Sequence, residues 1–519
     1  MRRKKVYLIN PKNDFPNYYG GEVFAASLGK PGVIVADLAV TTVAALMRPY
    51  FDVLLCEQHI DEVDYDLDVD FVAITGKVTQ RGHAEEIAMR FRDRGIPVMV
   101  GGPFASLSPG RVRHFADILI VGELEEIADE IFPEIASGKW KDYYEGEKAD
   151  LAKAPLPAWE LYPNHRSLSG NLQVSRGCPF QCEFCDVIQY LGRKQRHKPV
   201  ANILSELEAL HAIGYTNSFI SDDNFSVYRS RAKEVLLALE KWNNAVPGRT
   251  HKFSTQLSID ITRDEEMLDL LNRAGFSSVF IGIETINEES LREARKFQNT
   301  KQNLVEEVAK FYKHGITVYA GMIVGFDHDG PDIFKRQYDF AVDSSIPFFS
   351  LNYLVALEST PLFTRLRKAG RILPDEKIDG STQYTTNVRF KGLNEDQQYR
   401  GMRWLLSNLY APRNYGQRLV DMIDKSGEPK VQMIPGGRSV MTIKKDLLRI
   451  MRGLRKIGSG EAEMYERVMK KLEEKPRMAM DVMYFLYLYA QIRHMMENQN
   501  PERPMFVPDE VGREPFTLN

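Results

Sequence analysis

The sequence predicts an α/β protein in three parts, on three observations. Strand and helix signals alternate from residue 1 to about 135; a second alternation follows, with a helix after every strand; beyond about residue 400 the chain turns helical. Alternation of this kind specifies parallel sheets, because two parallel strands need a crossover between them. The expected organisation is an open, doubly wound, Rossmann-like domain over 1–135, a linker over 136–170, a full or partial (β/α) barrel over 171–400 and a helical C-terminal domain over 401–519.

In the first part, KVYLIN, FDVLLCEQ, DFVAITG, IPVMVGG and ADILIVGE read as five short strands. Three of them end in glycine-containing turns, at Gly76, Gly101-Gly102 and Gly122. In an open parallel sheet the carboxyl ends of the strands form the ligand crevice, and glycine lets the backbone approach a ligand closely. Glycine is equally common in turns that bind nothing. Cys56, on the second of these strands, reads as a buried thiol.

Residues 136–170 lose periodicity and carry Pro155, Pro157 and Pro163, the mark of a linker. The barrel strands follow: NLQVS, SFISDD, KFSTQLSI, SVFIGIE and TVYAGMIVG, with helices at 199–213, 229–244, 263–274 and 301–314. Barrel active sites sit at the carboxyl ends of the strands. There the sequence becomes polar, with Asp222, Asp223 and Asn224, then Gln256 and Ser258, Glu284, Gly325 and Asp327.

In the C-terminal part, IKKDLLRIMRGLRKIG sets Ile443, Leu447, Ile450, Met451 and Leu454 on one helical face and Lys444, Lys445, Arg449, Arg452, Arg455 and Lys456 around the rest. Packing on its own domain is the leading reading, and peripheral contact with an anionic membrane is the alternative. MAMDVMYFLYLYAQIRHMM, interrupted by Asp481 and Arg493, reads as a buried helix or the wall of an apolar pocket. The N-terminal apolar run is too short for a signal peptide, and no stretch reaches the roughly 20 apolar residues of a membrane span. The expected location is the cytoplasm, with membrane association as the alternative. A formal charge of −3 argues against a nucleic-acid partner.

The sharpest signal is SRGCPFQCEFCDV, which holds three of the chain's four cysteines. Structural zinc takes four ligands, usually as separated pairs. The compact trio of Cys178, Cys182 and Cys185 does not follow that pattern, although His197 is available as a fourth ligand. An iron-sulfur cluster held by three cysteines leaves one iron open to a substrate or cofactor.

Cys178-x-x-x-Cys182-x-Phe184-Cys185, placed after the first barrel strand, resembles the signature of the radical S-adenosylmethionine (SAM) superfamily. The resemblance implies a [4Fe-4S] cluster on the three cysteines with SAM chelating the open iron. It also implies SAM contacts from Phe184, from Asp222, Asp223 and Asn224, from Glu284, and from the strand carrying Gly321 and Gly325. The family's usual Gly-Gly-Glu is replaced here by SDDN, and capping of a barrel turn is the other reading of those residues. The α/β domain, the PLPAW linker and stretches such as GMIVGFD and LNYLVALESTPL are similar to the cobalamin-binding branch of the superfamily, most of all to hopanoid C-methylases. Cobalamin would then lie against Thr75, Gly76 and Lys77, against Gly101, Gly102 and Pro103, and against Gly122 and Glu123. No DxHxxG ligand is present: His59, His83 and His114 all lie outside such a motif.

What this implies is a C-methyltransferase of an unactivated carbon in an apolar, lipid-like small molecule, supplied with electrons by a donor such as flavodoxin or ferredoxin. Radical cyclisation, carbon–carbon coupling or ring oxidation of a lipid or tetrapyrrole is the alternative within enzymes. A non-catalytic cobalamin or iron-sulfur sensor is the alternative outside them.

Overall fold

The computed structural model describes residues 2–374, 384–431, 442–498 and 502–513. The first sheet contains β1 (Lys5–Asn10), β3 (Asp52–Glu57), β4 (Phe71–Thr75), β5 (Val98–Gly101), β6 (Ile118–Gly122) and β7 (Tyr143–Gly146), in the order β3-β1-β4-β5-β6-β7. Every pair in it is parallel. All five residues of β4 are buried, as expected of a strand covered by helices on both faces. Edge strand β7 lies inside the segment read as a linker; YYEG has no apolar run to announce it.

The short strand β2 (Val33–Val35) leaves this sheet and pairs with β8 (Ser167–Leu172). The second sheet comprises β2, β8, β11 (Asn217–Ile220), β12 (Lys252–Leu257), β13 (Phe276–Glu284), β14 (Thr317–Val324) and β15 (Phe349–Tyr353). Its order, β15-β14-β13-β12-β11-β8-β2, leaves β15 and β2 as edges, so the barrel is partial. The expected first barrel strand, NLQVS, is displaced: β8 ends at Leu172, because the backbone amides of Val174 and Ser175 are turned onto the Asp222 carboxylate. A two-residue antiparallel pair, β9 (Ser175–Arg176) with β10 (Arg196–His197), brackets the cysteine loop.

The first part of the chain is interwoven with the other two. Tyr18 donates to the Leu351 carbonyl, and Val23 N–H donates to Gln491 of the last long helix. The helix Thr442–Leu454 buries its whole apolar stripe, Ile443, Leu447, Ile450, Met451 and Leu454, against the helices Glu22–Leu28 and Ala479–Glu497. The stripe on which the membrane alternative rested is thus covered by the chain's own helices; Lys445, Arg449, Arg452, Arg455 and Lys456 stay exposed, and the Lys444 side chain lies outside the described ones. Ala479–Glu497 is both things the sequence suggested, a buried helix whose Met480 and Tyr484 also wall a cavity. Among the described residues no helix is long and apolar enough to cross a membrane.

Candidate functional site

The cysteine loop is built by two aspartates just past the end of β11. Asp222, fully buried, accepts from Val174 N–H at 2.7 Å, Ser175 N–H at 3.0 Å and the Ser175 hydroxyl at 2.5 Å. Asp223 accepts from Gly177 N–H at 2.7 Å. Gly177 sits at φ 95°, and a side chain there would collide with the carbonyls of Lys194 and Gly192, so the turn requires glycine. Burial pushes both carboxyls up, to about 6 in each case, against the hydrogen bonds that favour their charge. Asn224 bonds Ser258 at 2.6 Å. Asp222 is therefore occupied in shaping the loop, while Asn224 is tied to the residue that follows β12.

Cys178, Cys182 and Cys185 are free thiols, with Cys182 buried. Burial raises Cys178 to about 11 and Cys185 to about 12, and each thiol feels the charge of Cys182. Lys296 points into the same space: burial alone would discharge it, but Glu284 and the Cys182 and Cys185 thiols hold its pKa above the ordinary lysine value. A buried cation beside three clustered thiols suits an anionic thiolate cluster, whose metal deprotonates its ligands. Among the described residues no three His, Cys, Asp or Glu side chains converge on a point that would hold a single ion. The thiolates of a [4Fe-4S] cube stand farther apart, each on its own iron.

Glu284 lies at the end of β13 beyond a bulge between Gly282 and Glu284, at φ 63°, a strained value for a residue with a side chain. Asn299 holds the bulge by donating to the carbonyls of Gly282 and Ile283. Glu284 is 2.7 Å from Lys296. A Cβ on Gly282 would stand 2.2 Å from Glu284 Oε1, and one on Gly321 would stand 2.9 Å from the Phe280 ring. Glu284, Gly321 and Phe184 line one cavity of about 430 Å³. Gly325 does not line it: it packs against Phe390 and donates to Asp329. Gly321, the carboxylate and the aromatic ring fit a bound nucleoside, with Phe184 of the cysteine loop in the same wall.

A second cavity, about 310 Å³, opens at the carboxyl ends of the first sheet. It is lined by Thr75, Lys77, Gly101, Gly102, Pro103, Gly122 and Glu123; Gly76 lies behind it, accepting from Phe104 N–H. Gly102 (φ 90°) and Gly122 (φ 78°) are cradle positions, where a Cβ would stand 2.8 Å from Thr75 Oγ1 and 2.1 Å from the Gly146 carbonyl. Glu123 also carries a structural duty. Arg176 (2.8 Å) and Arg196 (2.6 Å), either side of the cysteine loop, both pair with it, and Arg176 reaches Glu125 at 2.7 Å. Burial works against its charge, but these arginines win and hold its carboxyl below the usual range. His59, His83 and His114 are paired with Glu57, Asp14 and Glu85, and none lines the crevice.

Three features were not read from the sequence. Arg365 grips Glu183, inside the cysteine loop, through both carboxylate oxygens at 2.6 and 2.9 Å. Tyr19 reaches from the first part of the chain into an aromatic group with Phe280, Tyr319 and Phe348. Asp37 and Lys77, 3.6 Å apart, stand where the crevice meets the hollow of the half-barrel. All join residues far apart in the chain, so no local pattern marks them.

The comparisons with known proteins agree with this geometry. The model of the radical SAM superfamily matches residues 172–341, and a domain of unknown function, DUF4070, matches 360–502. An uncharacterized methyltransferase of Synechocystis sp. is 34% identical over 443 residues, 83% of this chain and 80% of that protein. The hopanoid C-2 methylase of Rhodopseudomonas palustris is 32% identical over 61% of this chain and 60% of its own length. Among solved structures, the cobalamin-dependent S-adenosylmethionine radical enzyme OxsB, with aqua-cobalamin and S-adenosylmethionine bound, superposes with a TM-score of 0.61 at 15% identity, covering 98% of this chain and 82% of that one. The fold is shared throughout.

Proposed function

We propose, on the premise that this chain belongs to the radical SAM superfamily, that it is a cobalamin-dependent methyltransferase acting on an unactivated carbon of a hydrophobic, lipid-like molecule. The observation that carries the reading is the junction of three cavities. The crevice of the first sheet and the hollow of the half-barrel share Asp37, Lys77, Asn171 and Ser221, and the hollow shares Tyr19 and Phe280 with the cavity beside the cysteines. Two candidate cofactor sites thus border one space from two sides. The relative that acts on hopanoids supports a lipid-like substrate.

When bound, the cluster with SAM supplies a radical for hydrogen abstraction, and cobalamin supplies the methyl group. The chain's part is to bind, orient and keep dry. Cys178, Cys182 and Cys185 hold iron; Lys296 offsets the negative charge of the thiolates; Glu284 and Gly321 receive the nucleoside; the glycine turns at Gly101-Gly102 and Gly122 let backbone approach the macrocycle. The Arg176, Arg196 and Glu123 contacts lock the crevice to the cysteine loop, which fixes the distance between the two reacting centres. Tyr19, Phe280, Tyr319 and Phe348 exclude water where they meet. Electrons come from an external one-electron donor of the flavodoxin or ferredoxin kind.

The test is anaerobic reconstitution with iron, sulfide and hydroxocobalamin, followed by incubation with SAM, a reductant and a lipid extract. S-adenosylhomocysteine beside 5′-deoxyadenosine is the expected result. Deoxyadenosine alone would replace methylation by radical cyclisation, coupling or oxidation, and an intact SAM pool would leave a sensor.

A further inference from the structure

Parallel (β/α) barrels ordinarily fill their interior with layers of bulky branched side chains. This half-barrel does not. Asn171 of β8, Phe219 of β11, Ser254 of β12 and Ser278 of β13 are successive register partners, so one row across four strands offers one large side chain and three small polar ones. The result is a cavity of about 560 Å³, in the size range of small-molecule sites. Its far end is closed by Leu447, Met480 and Tyr484 of the C-terminal helices.

The floor of this hollow carries an ion pair. Lys252, the first residue of β12, lies 3.1 Å from Asp481 of the helix Ala479–Glu497, with side chains only 7% and 11% exposed, and both line the cavity. A buried ion pair contributes little net stability over apolar residues of the same size. Placed at the end away from the crevice, where Asp37 and Lys77 form the other ion pair of the lining, it is a recognition element. The pair is neutral as a whole, so a further full charge laid against it finds no counter-charge. An uncharged donor–acceptor group finds both partners, because the lysine has three N–H donors and uses one on Asp481, while the carboxylate retains free lone pairs.

We propose that the hollow binds the apolar body of the substrate, and that Lys252 and Asp481 receive an uncharged hydrogen-bonding group at its far end. This deepens the methyltransferase reading and rests on it. Gln256 lines the same cavity four residues along β12 from Lys252, about 13 Å at the usual strand rise. The end presented to the crevice and to the cysteine side is therefore the one opposite the polar group, and the methylated carbon lies on the order of 10 Å from it. The substrate class is an elongated or polycyclic apolar molecule with one neutral polar terminus.

The test is binding, read without turnover, to the full chain reconstituted with its cluster. The probes are 1-pyrenebutanol and 1-pyrenebutyrate, identical in body and differing in the charge of the end group, titrated by fluorescence. The wild-type chain is expected to bind the alcohol at least tenfold more tightly than the acid. Ser254→Trp and Ser278→Phe, on different strands, are each expected to weaken the alcohol at least tenfold with iron content unchanged. Lys252→Met combined with Asp481→Leu is expected to erase the preference between the probes. Equal or tighter binding of the acid by the wild-type chain overturns the neutral-end assignment. Unchanged binding in the filled-hollow variants overturns the site. Because no step of the assay cleaves SAM, loss of methyl transfer with this binding intact condemns the functional reading alone, and methyl transfer with this binding absent condemns this one alone.

Discussion

The two parallel sheets of this chain share one alternation of strand and helix but differ in what covers their inner side. In the first, β4 is buried at every residue, and a cavity opens at the carboxyl ends of the strands. In the second, β12 alternates buried and half-buried positions, and the half-buried side chains, Ser254 and Gln256, face a hollow. The difference teaches that strand periodicity alone does not say whether a parallel sheet will be a solid layer or the wall of a chamber. The size of the side chains on the inner face decides it.

The largest expected effect separates the sheets outright. Replacing Cys178, Cys182 and Cys185 together by alanine should take bound iron from about four per chain to background and abolish SAM cleavage, measured by iron assay and deoxyadenosine formation. It should leave cobalamin retained by the first sheet. The reciprocal change is Gly122→Val, which puts a branched side chain at φ 78° against the Gly146 carbonyl. Cobalamin retained after desalting should fall at least tenfold while iron stays near four. Loss of both cofactors in either variant would show that the sheets do not act separately.

The hollow gives the next effect in size. Lys252→Met strands a buried carboxylate and should cost about 3 kcal/mol, whereas Lys252→Met with Asp481→Leu should return to within about 1 kcal/mol of wild type, read from denaturant midpoints. A double variant as unstable as the single one would make the pair a structural tie rather than a recognition element.

The smallest effect lies outside the hollow, at Asp327, where Arg371 (2.6 Å), Lys391 (2.8 Å) and Arg365 (3.4 Å) meet. Burial disfavours its charge, but Arg371 and Lys391 outweigh it and hold the carboxyl at about 2. A depressed carboxyl contributes stability that is fully present above its unfolded value near 4 and is lost as pH falls through about 2. Asp327→Asn should therefore cost about 1–2 kcal/mol at pH 7, after allowance for solvent screening, with the gap closing as pH falls below about 4. Urea midpoints of both chains at pH 7 and pH 3 check it; a gap that does not shrink would assign the loss to packing.

Several parts of this site were legible in the sequence because their signals are local. The spacing of Cys178, Cys182 and Cys185, the glycine turns after the strands, and Glu284 at the end of a strand are all patterns a few residues long. Asp222 shows where such reading falters: a polar residue after a barrel strand looks the same whether it faces a ligand or, as here, accepts from the backbone of the neighbouring loop. Strand β2 escaped because three residues carry no period, and β7 because its four residues, YYEG, hold no aliphatic side chain.

By itself, then, the sequence determined the class of the two sheets, the close spacing of the cysteine trio and the burial of the apolar stripe on Thr442–Leu454, since each follows from periodicity or from residues close along the chain. Tertiary structure alone decided that Lys252 meets Asp481 across 229 residues and that Arg365 grips Glu183 across 182. It alone left the half-barrel hollow. Pairings of that separation depend on how whole elements pack, and an empty space is a property of the neighbours around it, written in no single segment.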